Sequence, residues 1–186
     1  QPKVLVNASA IGFYGVKRDG PIDEASSAGQ GFLAEVCREW ETATQPAEDA
    51  GIRVVHLRIG VVLSPMGGAL AKLLPVFRAG VGGPIGDGAM YMSWITCRDV
   101  ARAAIHCVEA DGLSGAVNGT APEPVTNRRF TKALARALAR PAAIPVPPFA
   151  LKLAYGQMAT ETLLSDVAVV PTRLSESNFR FEHPTI

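Results

Sequence analysis

Arg58-Ile59-Gly60-Val61-Val62-Leu63-Ser64-Pro65, then Gly67-Gly68, then Gly82-Gly83-Pro84-Ile85-Gly86-Asp87-Gly88, then Trp94-Ile95-Thr96-Cys97-Arg98-Asp99-Val100: this stretch decides how the chain is read. A strand of buried type ends in Gly60, an amphipathic segment follows, and a glycine-rich loop delivers an aromatic strand into a helix that starts at Arg98-Asp99. Glycine-dense connections of this kind are where an α/β protein builds a ligand site. Glycine lets backbone approach a ligand closely and takes φ values that other residues avoid.

Upstream, Val4-Leu5-Val6 is apolar at successive positions, which predicts a strand covered on both faces, as in a parallel sheet flanked by helices. Asn7-Ala8-Ser9-Ala10 then leads to Gly12-Phe13-Tyr14-Gly15. Ligands of open parallel sheets sit beyond the carboxyl ends of the strands, which makes Ser9 and Tyr14 candidate site residues. The alternative is that Ser9 satisfies local backbone and Tyr14 packs. Pro21 to Gly31 reads as loop, with Asp23-Glu24 and Ser26-Ser27 as turn or cap material. Phe32, Leu33, Val36, Cys37 and Trp40 form one stripe of a helix, with Glu35, Arg38, Glu39 and Glu41 on the other side and a terminator near Ala50-Gly51. Arg53 to Leu63 is the next strand, so the order strand, helix, strand predicts a right-handed βαβ unit.

Downstream, Leu70, Leu73, Leu74 and Phe77 recur at helical spacing across Pro75, predicting a short or kinked helix over Ala69 to Phe77. Tyr91 to Thr96 reads as a strand and Arg98 to Ala110 as a helix with Val100, Ala104, Ile105 and Val108 inward. Ala116-Val117-Asn118 is a buried strand. Thr126-Asn127 caps a helix through Arg140, with Phe130, Ala133, Leu134, Ala137 and Leu138 on one face. Pro141 to Pro148 contains four prolines and is a rigid connector. Short helices are expected from Phe149 to Leu164 and around Thr172 to Ser177, and a terminal strand at Phe179-Arg180-Phe181.

Composition bounds the function. In 186 residues, 48% are hydrophobic and 19% charged, so the chain reads as soluble and globular, one domain or one and a half. The formal net charge is +1 with no basic block, which argues against nucleic acid as a partner. No apolar run approaches ~18 residues, so no membrane span is expected. Cys37, Cys97 and Cys107 are odd in number and far apart, and read as reduced thiols of a cytoplasmic protein. His56, His106 and His183 lack ligand spacing, so no metal is expected. The opening Gln1-Pro2-Lys3, without an initiator Met or signal peptide, reads as a fragment.

The succession resembles the later part of an extended short-chain dehydrogenase/reductase. Four places carry the likeness: Val6 to Ala10 with Tyr14-Gly15; Leu57 to Leu63; Gly86-Asp87-Gly88 with Ser93-Trp94-Ile95; and Arg98-Asp99-Val100-Ala101-Arg102-Ala103. Gly67 to Leu70, Gly82 to Gly86 and Asn118 to Asn127 resemble an atypical subfamily, the epimerase-family proteins that carry a small C-terminal domain of unknown function. The fold class implied is α/β, the C-terminal half of a Rossmann-type doubly wound parallel sheet with a small, mostly helical substrate-side domain. Residues 1–122 would form the second half of the dinucleotide-binding domain, with 64–92 a substrate-side insertion, and 123–186 the small domain.

The resemblance implies roles as well. Ser9 and Tyr14 would be catalytic; Asn7, Ala8, Arg58, Gly60 and Val61 would border the nicotinamide of NAD or NADP, NADP slightly favoured; Gly83, Gly86, Trp94 and Arg98 would shape the pocket for a nucleotide sugar or other small substrate. For Trp94 the alternative is core packing, and for Arg98 a charge arrangement at a helix start. Two departures stand out. The Gly-x-x-Gly-x-x-Gly turn that seats a pyrophosphate is not in this chain, so dinucleotide binding is expected to need a missing N-terminal half. The Tyr-x-x-x-Lys pair is replaced by Phe32 and Val36, or Leu33 and Cys37, none of which transfers a proton in that way. Tyr14 is the nearest substitute acid, with Lys17 and Arg18 close in sequence. Three readings follow: an NAD(P)-dependent oxidoreductase or epimerase, a dinucleotide-binding module without turnover, and a fragment that dimerises through the helix at 32–40.

Overall fold

The structure is a computed structural model that describes residues 2–149, 153 and 165–186, with 17–19 described as backbone only. Three parallel strands make its centre: β1 (Val4–Ala10), β3 (Arg53–Ile59) and β7 (Gly115–Gly119), in the order β1-β3-β7. Asn7 pairs with His56 and Ser9 with Arg58, and Arg58 in turn with Asn118. Side chains alternate along a strand, so this register sorts the sheet into two unlike faces. One face carries Asn7, Ser9, His56, Arg58 and Asn118, of which Asn7, Ser9 and Arg58 bond to helix α1 (Phe32–Thr42). The other presents Val6, Val55, Leu57 and Val117 to helix α4 (Cys97–Glu109), whose Ala103 and Cys107 close the main apolar core.

Between β1 and α1 the chain makes a 3-10 turn (Ile11–Tyr14) and a strand β2 (Lys17–Ile22), and a short helix α2 (Gln45–Asp49) leads into β3. After β3, the chain passes through Gly60 into β4 (Val61–Leu63), helix α3 (Gly68–Arg78), β5 (Tyr91–Met92) and β6 (Trp94–Thr96). β4 and β6 pair in parallel, Val61 with Trp94. β8 (Val125–Thr126) pairs antiparallel with β5 and opens helix α5 (Asn127–Leu138), where the Thr126 hydroxyl accepts from the Arg129 amide as N-cap. α3 and α5 enclose a second core of Trp94, Ala121, Val125 and Phe130. β9 (Asp166–Val169) and helix α6 (Thr172–Glu176) complete the described elements.

The two edges of the central sheet differ. On β7, the Arg173 guanidinium donates to the Ser114 and Ala116 carbonyls, and the Asn118 amide donates to Glu24 Oε1, so side chains block that edge against further strands. The second edge of β1 is paired with no strand among the described residues, and Leu5 keeps 37% of its surface. Both faces of β1 are met by helices, Val6 by the core under α4 and Asn7 and Ser9 by α1, as expected, while its outer edge and part of Leu5 stay open among the described residues.

Some expectations are corrected for identifiable reasons. The loop read from Pro21 begins inside a strand: β2 pairs in parallel with β9, Pro21 beside Ala168 and Ile22 beside Val169, because proline is tolerated where its missing N–H is not required. The strand read over Arg53–Leu63 divides at Gly60, and that read over Tyr91–Thr96 divides at Ser93, whose hydroxyl donates to the Val167 carbonyl and accepts from the Val169 amide. In α4 the buried stripe is Asp99, Ala103 and Cys107, while Ile105 and Val108 face solvent. Asp99 is drawn inward because it accepts from the Glu182 and His183 amides. These bonds also explain why Phe179 to Phe181 forms no strand. The tail's backbone groups are taken by side chains, with the Arg180 carbonyl accepting from Arg102, while the two phenyl rings pack edge to face 4.8 Å apart. α5 ends at Leu138 rather than Arg140, with Ala139 left-handed and Ala137 exposed. The helix expected from Phe149 to Leu164 falls largely outside the described residues.

Among the described residues no helix is long and apolar enough to cross a membrane, and no group of three or more His, Cys, Asp or Glu is placed to hold a metal ion. All three cysteines are free; Cys37 and Cys107 are buried, and burial pushes the Cys107 thiol up to about 11.

Candidate functional site at the strand ends

The polar face of the sheet is an unusual thing to bury, and it is buried under α1. Side chains four residues apart share a helix face, so Leu33 and Cys37 bring Glu41 inward with them. The reading that put Glu41 on the solvent side is corrected by this geometry. Phe32 and Trp40, read as inward, face outward at 60% and 52% exposure.

Glu41 meets Arg58 in a two-pronged ion pair: Arg58 Nε donates to Oε1 and an Arg58 terminal nitrogen to Oε2, each at 2.8 Å. The Ser9 hydroxyl donates to the same Oε1 at 2.7 Å. The other terminal nitrogen of Arg58 donates to the Tyr14 hydroxyl at 3.0 Å, and that hydroxyl donates to Asn118 Oδ1 at 2.8 Å. Asn118 Nδ2 continues to the Val170 carbonyl. The guanidinium also lies over the Phe13 ring, 3.4 Å from its centroid, a cation–π stack that covers its remaining face. One hydrogen-bonded line thus runs from β1 through α1 and β3 to β7.

The titration behaviour follows from these contacts. Burial would raise the Glu41 carboxyl, but the bonds from Arg58 and Ser9 outweigh it and hold it below its ordinary value. Burial would likewise weaken the charge on Arg58, and its bonds to Glu41 overcome this and raise it. Burial pushes the Tyr14 phenol up, with Arg58 and Asn118 only partly offsetting it.

The other sequence candidates are placed as follows. Asn7 donates through Nδ2 to the Trp40 carbonyl, and Ala8 is exposed beside it. Gly60 and Val61 sit where β3 gives way to β4; a Cβ on Gly60 would lie 2.7 Å from the Ser93 carbonyl oxygen, so only glycine lets these segments touch. Gly83 and Gly86 lie instead against the proline-rich connector. A Cβ on Gly83 would stand 1.8 Å from the Ile144 oxygen, and the Gly86 amide donates to the Val146 carbonyl. Trp94 is 2% exposed in the second core and donates to the Glu123 carbonyl, so core packing is what the structure gives it. Arg98 is largely exposed at the start of α4 and pairs with Glu182 at 2.6 Å.

Tyr14 has no exposed surface and both directions of its hydroxyl are engaged, which makes it a positioning residue for Arg58 in this arrangement. Ser9 is 4% exposed, and its proton is given to Glu41. Sequence reasoning brought Ser9, Tyr14 and Arg58 forward but missed Glu41, Phe13 and the role of Asn118. The spacing of Leu33, Cys37 and Glu41 was the available signal for the first.

The chain is similar to known proteins over nearly its whole length. Residues 146–186 match the family described as Domain of unknown function (DUF1731). The epimerase family protein Mb2239 of Mycobacterium bovis is 48% identical over 182 residues, which cover 98% of this chain and 60% of that protein. The crystal structure of human epimerase family protein SDR39U1 (isoform 2) with NADPH superposes with a TM-score of 0.92 at 33% identity, covering 99% of this chain and 62% of that one. A nucleoside-diphosphate sugar epimerase from Corynebacterium glutamicum superposes with a TM-score of 0.80 at 36% identity, covering 98% and 35%. The chain thus spans about 60% of the length of the Mycobacterium bovis and human relatives. Over nearly its whole length the chain is thus similar to epimerase family proteins, and it ends in the segment that matches DUF1731.

Proposed function

We propose that this chain carries the nicotinamide-facing and substrate-facing part of an NAD(P)-dependent epimerase or oxidoreductase. Its substrate would be a nucleotide sugar or another small carbonyl or hydroxyl compound. The observation that supports the reading is the junction of β1 and β3, where Ala8 to Ala10 runs beside Leu57 to Ile59 and Gly60 follows, at the end of a hydrogen-bonded polar layer. Such a rim suits one flat face of a nicotinamide ring, and Asn7, Ala8, Gly60 and Val61 would hold that end, with Arg58 ordering the layer beneath. The phosphate-cradling glycine turn is not among these residues. A bound nicotinamide dinucleotide would supply hydride acceptance and donation. What the chain's own residues do is orient and exclude water: Glu41 fixes Ser9, Arg58 fixes Tyr14, and the buried layer keeps the strand ends in register.

The human relative's NADPH favours NADP over NAD. The lost Tyr-x-x-x-Lys pair and the enclosed Tyr14 hydroxyl favour a second reading, a dinucleotide-binding module without turnover. The test joins this chain to the part of the Mycobacterium bovis relative that the match leaves out, then titrates NADPH and NADH by nicotinamide fluorescence. Binding is expected in the joined protein only, with oxidation of NADPH by some member of a panel of nucleotide-keto-sugars and quinones. Ser9→Ala is expected to lower that turnover while leaving NADPH affinity within a few fold. Binding without turnover across the panel would establish the module instead, and no binding at all would end both.

The partner we propose is a second copy, meeting through the outward stripe of Phe32, Val36 and Trp40 on α1. Arg38 lies among Glu35 and Glu39 in the same groove, so a two-fold contact would set opposite charges against each other. Trp40→Glu is expected to convert a sedimenting dimer to monomer without loss of helical circular dichroism. A monomeric parent would discard the idea.

A further inference from the structure

Helix α5 carries Arg128, Arg129, Lys132 and Arg136 and no carboxylate, and Arg140 follows just beyond its end; all five are exposed. Local energetics oppose this arrangement. Arg128 with Lys132, and Lys132 with Arg136, are like charges four residues apart, each unfavourable by a few tenths of a kcal/mol. The first turn, where the helix dipole favours anions, holds two arginines and no acid. The protein answers this only at the amino end, where Arg129 pairs with Glu123 and Arg128 donates to the Asp87 carbonyl. The side chains of Lys132, Arg136 and Arg140 form no ion pair or hydrogen bond among the described residues.

We infer that this edge of α5 docks an acidic helical segment of a partner protein, whose carboxylates meet Lys132 and Arg136, the two cations of the helix itself that are unpaired among the described residues. Cations four residues apart on a helix are spaced by about 6 Å along its axis, the same interval that glutamates four apart present on a facing helix. Charge complementarity therefore comes with matched spacing. Nucleic acid fits less well. The chain's formal net charge is +1, so no broad positive field surrounds the edge, and the α5 edge displays no aromatic side chain on which bases could stack. The inner face of α5, with Phe130 and Leu134, is occupied by the second core, so the basic edge is the face left for a partner.

The experiment measures fluorescence anisotropy of a labelled, alanine-based helical peptide with glutamate at every fourth position, titrated with the full chain at low and high salt. Labelled single-stranded and duplex DNA of matched charge run in parallel. The peptide is expected to bind and to release at high salt. Lys132→Gln with Arg136→Gln should weaken it by about threefold to tenfold, the loss of two exposed charge pairs. Lys132→Glu with Arg136→Glu should abolish it, while the fold is kept, the melting temperature moving by no more than a few degrees because both side chains are exposed. Peptide binding that is absent, or indifferent to these substitutions, would overturn the assignment. DNA bound more tightly than the peptide through the same two residues would overturn it too, in favour of a nucleic-acid surface.

Discussion

Arg58→Met is expected to lower the stability of this chain by about 3–5 kcal/mol, because it strands the Glu41 carboxylate in a buried site with one remaining partner, the Ser9 hydroxyl. The penalty comes from the uncompensated charge more than from the lost attraction. Removing both charges, as Glu41→Leu with Arg58→Met, should therefore recover much of the loss, and a double-mutant cycle by urea denaturation measures the coupling. The sign of the pH dependence follows from Glu41. Its folded pKa lies below the unfolded one, so its contribution is fully present above the ordinary glutamate value of about 4.3 and fades as pH falls through the folded value. In Arg58→Met this acid-side loss should shrink. A cost under ~1 kcal/mol, or an unchanged acid limb, would show that the pair does not hold the polar layer together.

Asp99→Ala is the second large effect expected. Asp99 is wholly buried, and its two oxygens accept from the Glu182 and His183 amides, the Thr96 hydroxyl and Arg102. Its loss leaves two tail amides without an acceptor, each worth roughly 1–3 kcal/mol if they stay buried, so the tail should lift from α4 instead. Burial raises the Asp99 carboxyl, yet the two amides and its other donors outweigh burial and hold it below the ordinary aspartate value. Stability from this latch is therefore present above about pH 3.9 and lost as pH drops through the folded value. Hydrogen exchange at Glu182 and His183 is the direct readout. Low protection relative to the intrinsic exchange rate is expected in Asp99→Ala at neutral pH, and in the parent only in acid; equal protection in both proteins would refute the latch. Since Ile186 packs against the Trp94 cluster while Phe179 belongs to the core under α4, an undocked tail should loosen both cores together.

Much of the scaffold was legible from local pattern. The strands read at Val4 to Val6, within Arg53 to Leu63 and at Ala116 to Asn118 became the three central strands, the second of them ending at Ile59, and Thr126 capped its helix as read. Where reading failed, a distant partner had intervened. Pro21 looked like loop until β9 supplied a neighbour, Ala168, 147 positions along the chain, that asked nothing of its missing N–H. α1 could be turned either way by its sequence, since Phe32, Val36 and Trp40 are as apolar as Leu33 and Cys37. Its rotation is chosen by the free energy of pairing Glu41 with Arg58, a residue of another strand.

By itself the amino-acid order determined the three central strands and the main helices, and that Ser9, Tyr14 and Arg58 fall near strand ends, because periodicity and backbone freedom are local properties. Only the tertiary structure decided that these residues share one buried line with Glu41 and Asn118, that Asp99 holds the tail, and that Trp94 belongs to a core. Register and helix rotation are set by contacts between residues far apart in sequence, and such contacts leave no periodic trace in the chain.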